Sequence, residues 1–242
     1  MFFTILYSIY FLIIFLGFST FLIIIYPFFI LFKKKTQWEL FLQRVASLWG
    51  RCVIRGTFSK VSVEGIEKIP SGNVLFVANH QSYFDIPLIM GYVGKVGGFV
   101  AKVELKKVPI LSFWMKRLHC VFIDRKKLKE ANKYIEEAIQ NLKSGYSMVI
   151  FPEGTRSRGK EMRNFKPGSF KLAFKTNVPI VPLSINGTYN LFEKKGRIAS
   201  GKIKILVHDP VYPDNFSEDE KIAFVKKIEE IVRDGVEKDV SS

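Results

Sequence analysis

Cysteine is almost missing from this chain of 242 residues: Cys52 and Cys120 are the only two. That count excludes a disulfide framework and a thiolate metal cluster, and it fits a reducing compartment. Histidine is nearly as scarce. His119 adjoins Cys120 and His208 stands far along the chain, a spacing that suits no zinc site, so neither a metal nor a cofactor is expected. The strained Gly-x-Ser-x-Gly turn is absent, as are the Walker loop, the dinucleotide glycine fingerprint and any recognised nucleic-acid motif. Negative charge is in short supply: 22 Asp and Glu stand against 37 Lys and Arg, a formal surplus of +15. Such a surplus predicts anionic partners, whether nucleic acid, anionic lipid or a phosphorylated substrate.

Charge of either sign is wholly absent from residues 1–32, and three lysines follow, Lys33, Lys34 and Lys35. As one helix this stretch would be about 48 Å long, against a hydrocarbon core of about 30 Å. The surplus length, with break points at Gly17, Ser19-Thr20 and Pro27, favours a broken helix lying in one leaflet over a single span. No basic residue precedes the apolar run and the run is too long, so a signal peptide is not expected. Beyond it, Trp38, Phe41, Val45, Leu48, Trp49 and Cys52 recur at helical spacing, with Arg44, Ser47, Arg51 and Arg55 on another face. This predicts an amphipathic helix over about 36–55, resting either on a membrane surface or on the core of the domain. Residues 1–57 are therefore read as a membrane-attachment region and 58–242 as one further domain.

Within 58–242, strands are predicted at 61–65, 74–78, 98–102, 121–124, 147–151, 178–185 and 202–207. Helices are predicted at 86–92, 108–118, 128–142 and 166–175, with a last one opening on the capping box Ser217-x-x-Glu220. Strands alternating with helices imply an α/β fold: a mixed, mostly parallel central sheet flanked by helices.

Two stretches follow apolar strands directly, where the carboxyl ends of strands in open α/β sheets bind ligands. In Asn79-His80-Gln81-Ser82-Tyr83-Phe84-Asp85, five positions on a straight helix would set His80 and Asp85 about 500° apart, but a turn can join them. Asp85 would then fix the imidazole tautomer and leave the other ring nitrogen free as a base. From spacing alone the plainer reading, a surface histidine and a helix-capping aspartate, is preferred. In Phe151-Pro152-Glu153-Gly154-Thr155-Arg156-Ser157-Arg158, Gly154 permits a tight turn, and Arg156 and Arg158 offer guanidinium groups to a phosphate or belong to an ordinary solvated loop. Lys102 and Arg125 also lie near predicted strand ends. Ser82 reads as a loop residue and Cys120 as a small buried one.

Together these blocks resemble the glycerolipid acyltransferase family, specifically the 1-acyl-glycerol-3-phosphate (lysophosphatidic acid) acyltransferases. Asn79 to Asp85 is similar to the family's His-x-x-x-x-Asp block. Residues 121–125 resemble the second block, 151–157 the Phe-Pro-Glu-Gly-Thr-Arg-Ser block, 165–168 the Phe-Lys-x-Gly stretch and 178–182 the proline-containing block, in order and over roughly residues 60–210. The resemblance implies His80 and Asp85 as the catalytic pair. It implies Lys102, Arg125, Glu153, Gly154, Thr155, Arg156 and Arg158 as substrate-binding residues, with Lys102, Arg156 and Arg158 holding phosphate and Glu153 orienting a hydroxyl or an arginine. The implied partners are lysophosphatidic acid, an acyl carrier protein or coenzyme A thioester, and the anionic leaflet of a cell membrane met from its cytoplasmic side, without nucleic acid. Attachment would be through an N-terminal helical pair on one leaflet. The alternatives are the same chemistry on another acceptor (glycerol-3-phosphate, another lysophospholipid or a lyso-aminolipid), a non-catalytic basic membrane-binding module, or a membrane-anchored nucleic-acid binder. The family usually has a glycine some six residues before the arginine of its second block. Here Leu118-His119-Cys120 stands in that place, and a side chain there would narrow the site.

Overall fold

A computed structural model describes residues 1–124, 128–213 and 216–238. Its centre is one seven-stranded sheet. The strands are β1 (Lys60–Glu64), β2 (Leu75–Ala78), β3 (Gly98–Lys102), β4 (Val121–Ile123), β5 (Met148–Ile150), β6 (Ile180–Asn186) and β7 (Lys202–Val207). Their order is β1-β7-β6-β2-β5-β3-β4. Every neighbouring pair is parallel except β6–β7, so β6, β2, β5, β3 and β4 present their carboxyl ends along one edge.

The residues of β2 explain why it lies in the middle. Leu75, Phe76, Val77 and Ala78 are all apolar and all buried, as a strand covered on both faces requires. Side chains alternate along a strand. Phe76 and Ala78 accordingly enter the core on one face, and Leu75 and Val77 enter the core on the other. The first face is covered by helices α1 (Phe2–Leu31), α2 (Lys35–Arg55) and α3 (Asp85–Tyr92), through Tyr7, Val53, Ile54, Leu88 and Ile89. The second is covered by α5 (Leu128–Lys143), α6 (Lys171–Thr176) and α7 (Glu218–Lys238), through Ile139, Leu142, Leu172, Ile228 and Val232. Helix α4 (Pro109–Arg117) packs at the side of α1 and α2. The expected capping box opens α7. The Ser217 amide donates to Glu220 Oε2 at 2.7 Å and the Glu220 amide to Ser217 Oγ at 3.4 Å.

One expectation about the N-terminus needs correction, and the structure decides two further points. First, α1 is one continuous helix of 30 residues. Pro27 lies inside it without breaking it, and Ser19 spends its hydroxyl accepting the Trp114 indole N–H at 3.0 Å. The chain reverses instead at the lysine run, and α1 with α2 forms the helical pair. Second, the tryptophan face of α2 is not free. Trp38 is buried between Tyr26 and Phe29 of α1, with ring centroids at 4.8 and 5.3 Å, and Leu42 and Val45 close the same cluster with Trp114. The outer stripe of α2 is Leu40, Arg44, Leu48, Arg51 and Arg55. Third, the first 57 residues pack on the rest of the chain, since Tyr7, Val53 and Ile54 share one core with Phe76 and Leu88. Helices α2 and α3 meet where both lack a side chain. A Cβ at Gly50 would lie 2.5 Å from the Pro87 carbonyl oxygen, and Arg51 Nε donates to the Gly91 carbonyl at 2.6 Å across the same crossing.

The outward side of α1 remains bare. Ile9, Ile13 and Ile24 are 52%, 63% and 62% exposed, and the helix is long and apolar enough to cross a membrane. Core helices of soluble proteins pass the same length test, but they are mostly buried; the apolar window of α1 is 11% buried. So large an apolar surface on one side marks contact with lipid or with a partner.

Candidate active site

The turn after β2 brings His80 and Asp85 together. Asp85 opens α3 and is fully buried. Its Oδ2 lies 2.7 Å from His80 Nδ1 and accepts the amides of Gln81 at 2.7 Å and Ser82 at 2.9 Å. Its Oδ1 accepts the Thr188 hydroxyl at 2.6 Å. A carboxylate with so many donors is held rigidly, and in turn it fixes the orientation of the imidazole. His80 Nε2 makes no hydrogen bond among the described residues, and the side chain is 16% exposed. The ring lies flat on Phe151, with centroids 4.0 Å apart and planes 17° from parallel. The ring thus rests on an apolar wall, partly exposed, with Nε2 uncommitted among the described residues.

Asn79 carries β2 past its last ladder bond. Its Nδ2 donates to the Ile185 carbonyl at 2.9 Å and its Oδ1 accepts the Ile185 amide at 2.8 Å, so a side chain pairs with β6 where the backbone turns away. Gln81, also buried, accepts the Gly187 amide on Oε1 at 3.0 Å.

The loop after β5 lies against this turn. The Ser157 amide donates to the His80 carbonyl at 2.7 Å. Glu153 is buried, and both of its oxygens take backbone amides, Oε1 from His80 at 2.6 Å and Oε2 from Arg163 at 2.9 Å. It therefore clamps two loops together. Burial pushes its carboxyl up to about 7, and the two amides pull the other way. Gly154 takes a left-handed φ of 75°, which allows the chain to reverse directly after Glu153. Thr155 is exposed.

The expected cations are placed differently from one another. Arg156 Nη1 donates to Glu193 Oε1 at 2.9 Å, and its guanidinium carbon lies 3.3 Å from the centre of the Tyr83 ring. Part of its hydrogen-bonding fork is thus already used. Arg158 is exposed, with a left-handed φ of 61°, and Lys102 is exposed at the carboxyl end of β3. Neither has an ion-pair partner among the described residues. Gly98 and Phe99 pair with Met148 and Val149, and Leu75 with Met148. Extending that register sets Lys102 level with Pro152 and Asn79, two strands from His80, or about 10 Å sideways. Arg125 lies outside the described residues.

The departure at His119 does not narrow the site. His119 precedes β4 and Tyr146 precedes β5, so both lie at the amino ends of those strands, the opposite edge of the sheet. Their rings stack with centroids 3.6 Å apart. His119 adopts a left-handed φ of 57°, the conformation that glycine takes without strain. Cys120 beside it is buried, which pushes its thiol up to about 12.

Two residues of the site stand outside every block singled out in the sequence: Thr188 and Glu193, both in the connection from β6 to β7. The available signal was position. Thr188 follows Gly187, whose φ is 93°, at the carboxyl end of a parallel strand.

A buried carboxylate thus holds an imidazole at the carboxyl edge of an α/β sheet, with exposed cations on the neighbouring loops. A protein-family model described as Acyltransferase matches residues 60–186, more than half of the chain. A probable 1-acyl-sn-glycerol-3-phosphate acyltransferase of Mycoplasma pneumoniae is 36% identical over 172 residues, which cover 66% of this chain and 64% of that protein. A chloroplastic 1-acyl-sn-glycerol-3-phosphate acyltransferase of Arabidopsis thaliana is 31% identical over 202 residues, covering 80% of this chain and 56% of that one. The chain thus spans between about half and two thirds of these relatives' length. The crystal structure of the 1-acyl-sn-glycerophosphate acyltransferase of Thermotoga maritima superimposes with a TM-score of 0.77, at 36% identity, over 98% of each chain. The chain belongs to the acyltransferase family.

Proposed function

We propose that this protein transfers a fatty acyl group from an acyl thioester, carried by acyl carrier protein or coenzyme A, to the 2-hydroxyl of 1-acyl-glycerol-3-phosphate, giving phosphatidic acid. The observation that carries the reading is the 2.7 Å contact between His80 Nδ1 and Asp85 Oδ2, with Nε2 left uncommitted. The names of the relatives support the choice of acceptor.

In this mechanism Nε2 takes the proton of the acceptor hydroxyl as its oxygen attacks the thioester carbonyl carbon. Asp85 stabilises the imidazolium that forms. The tetrahedral intermediate collapses with cleavage of the carbon–sulfur bond, and the proton passes from Nε2 to the departing thiolate. Lys102, Arg158 and the unused face of Arg156 attract the phosphate, which guanidinium groups bind with two parallel hydrogen bonds. Glu153, Gly154 and Thr155 shape the loop against which the acceptor rests.

The N-terminal pair holds the site at a membrane surface. Contacts with the rest of the protein run along the length of α1. Thr4 Oγ1 accepts the Ile198 amide at 3.1 Å, Tyr7 Oη donates to the Val53 carbonyl at 2.9 Å, and Ser19 meets Trp114 further on. A helix attached to its own domain along its length cannot also cross the bilayer as an upright span. This supports monotopic attachment, with the bare side of α1 in one leaflet and Lys33, Lys34 and Lys35 at its cytoplasmic surface. The first turns of α1 reach the site itself, since the Tyr7 ring lies 6.0 Å from that of Phe84, the residue before Asp85.

The test is an assay of the purified protein with labelled 1-acyl-glycerol-3-phosphate and each donor in turn. The His80→Ala variant should lose roughly 10²–10⁴-fold in turnover, the usual contribution of a positioned base. Near-normal turnover by that variant would falsify the mechanism.

A further inference from the structure

We propose that the connection from β6 to β7 is the positioning device of the site, with Thr188 setting the Asp85 carboxylate and Glu193 setting the Arg156 guanidinium. The inference rests on the acyltransferase reading above and assigns roles to two residues that lie outside the sequence blocks.

The geometry is specific. Thr188 is fully buried, and its hydroxyl is the donor to Asp85 Oδ1 among the described residues. Oδ2 carries the other three bonds, so without Thr188 one oxygen of a buried carboxylate would face no donor. The carboxylate could then rotate about its last bond, and the imidazole it holds would follow. Five residues on, Glu193 Oε1 accepts Arg156 Nη1 at 2.9 Å and the Tyr83 amide at 2.9 Å, while Oε2 accepts the Ser82 hydroxyl at 2.7 Å. The Glu193 side chain is 4% exposed and Arg156 16%, so the ion pair is largely shielded from water. Glu193 therefore ties Arg156 to the same turn that carries His80 and Asp85. One connection thus sets the distance between the base and a phosphate-binding cation, two points of one substrate molecule.

Both are positioning residues, since each acts through another side chain. The two should fail in different ways. Thr188→Val keeps shape and burial but removes the donor. A hydrogen bond to a charged group contributes about 1.5–3 kcal/mol, so kcat should fall roughly ten- to a hundredfold, with KM for the acceptor unchanged. Thr188→Ser should restore kcat to within about threefold of wild type, because the hydroxyl returns. Glu193→Gln keeps size but removes the charge that anchors Arg156. KM for the acceptor should rise about tenfold, with kcat within about twofold, if the lost anchoring is near 1.4 kcal/mol.

The experiment measures kcat, KM and melting temperature for the full-length variants in detergent, with His80→Ala as blank. Wild-type transfer that disappears in His80→Ala establishes the underlying reading separately from this one. Opposite kcat and KM patterns in Thr188→Val and Glu193→Gln, with rescue by Thr188→Ser, support the proposal. It is overturned if Thr188→Val retains wild-type kcat, if Thr188→Ser is as impaired as Thr188→Val, or if both variants lose kcat and KM in parallel with a lowered melting temperature, as a purely structural connection would.

Discussion

Replacing Asp85 by asparagine keeps the outline of the side chain and removes its charge. The amide oxygen can stand where Oδ2 stands and keep the three donors that converge there, from His80, Gln81 and Ser82. The amide nitrogen then faces Thr188 Oγ1, whose hydroxyl can turn to accept, since it also lies 3.4 Å from Gln81 Oε1. The fold should therefore survive. What is lost is the attraction between the carboxylate and the imidazolium that forms as the acceptor is deprotonated. With charge centres about 4 Å apart and an effective dielectric of about 20, that attraction is about 4 kcal/mol, or roughly 10³-fold in rate. Steady-state turnover of the purified variant should fall by about that factor, with wild-type KM for the acceptor and a melting temperature within a few degrees of wild type. If Asp85→Asn turns over within about tenfold of wild type while His80→Ala is inactive, the carboxylate does not work through the imidazole and the reasoning fails.

Two further predictions concern stability. Glu153 is held near 7 in the folded protein, above the ordinary value of 4.5. Its folded form thus binds more protons than its unfolded form between about pH 4.5 and 7, and stability should fall as pH rises through that window and level off above it. The drop in melting temperature between pH 5 and 7.5 should be smaller in Glu153→Gln, because other titrating groups are common to both proteins; equal drops would contradict the assignment. Gly50→Ala places a methyl group 2.5 Å from the Pro87 carbonyl. It should destabilise the protein by about 1–3 kcal/mol, as overpacking does, and make the α1–α2 pair more open to proteolysis; an unchanged melting temperature and cleavage pattern would show that the α2–α3 crossing gives way freely.

Most of the elements were legible because each is specified locally. The apolar run at 74–78 has no polar residue to offer to water, so it reads as a central strand. The Ser217-x-x-Glu220 pattern satisfies the first amides of a helix with side chains only three residues apart. The N-terminus was misread for the same local reason. Gly17, Ser19-Thr20 and Pro27 look like breaks when α1 is considered alone, yet one of them, Ser19, is a contact that holds the helix to Trp114, 95 residues away. The tryptophans of α2 likewise suited a membrane surface or the core equally by spacing, until their partners on α1 were known.

His80, Asp85 and the loop around Arg156 could be named from the chain because strand ends carry ligands and because the blocks resemble a known family. Their geometry could not. Sequence determined that this protein has an α/β domain, an uncharged apolar N-terminal helix, and a histidine and an aspartate at the end of a buried strand, since each property follows from neighbours a few positions apart. Only the tertiary structure decided that the strands meet in the order that places β2 between β6 and β5. It alone decided that Thr188 reaches Asp85 across 103 positions and that Glu193 reaches Arg156 across 37. Hydrogen bonds between buried polar groups depend on where whole elements come to rest, and that is settled by packing two faces of one sheet at once.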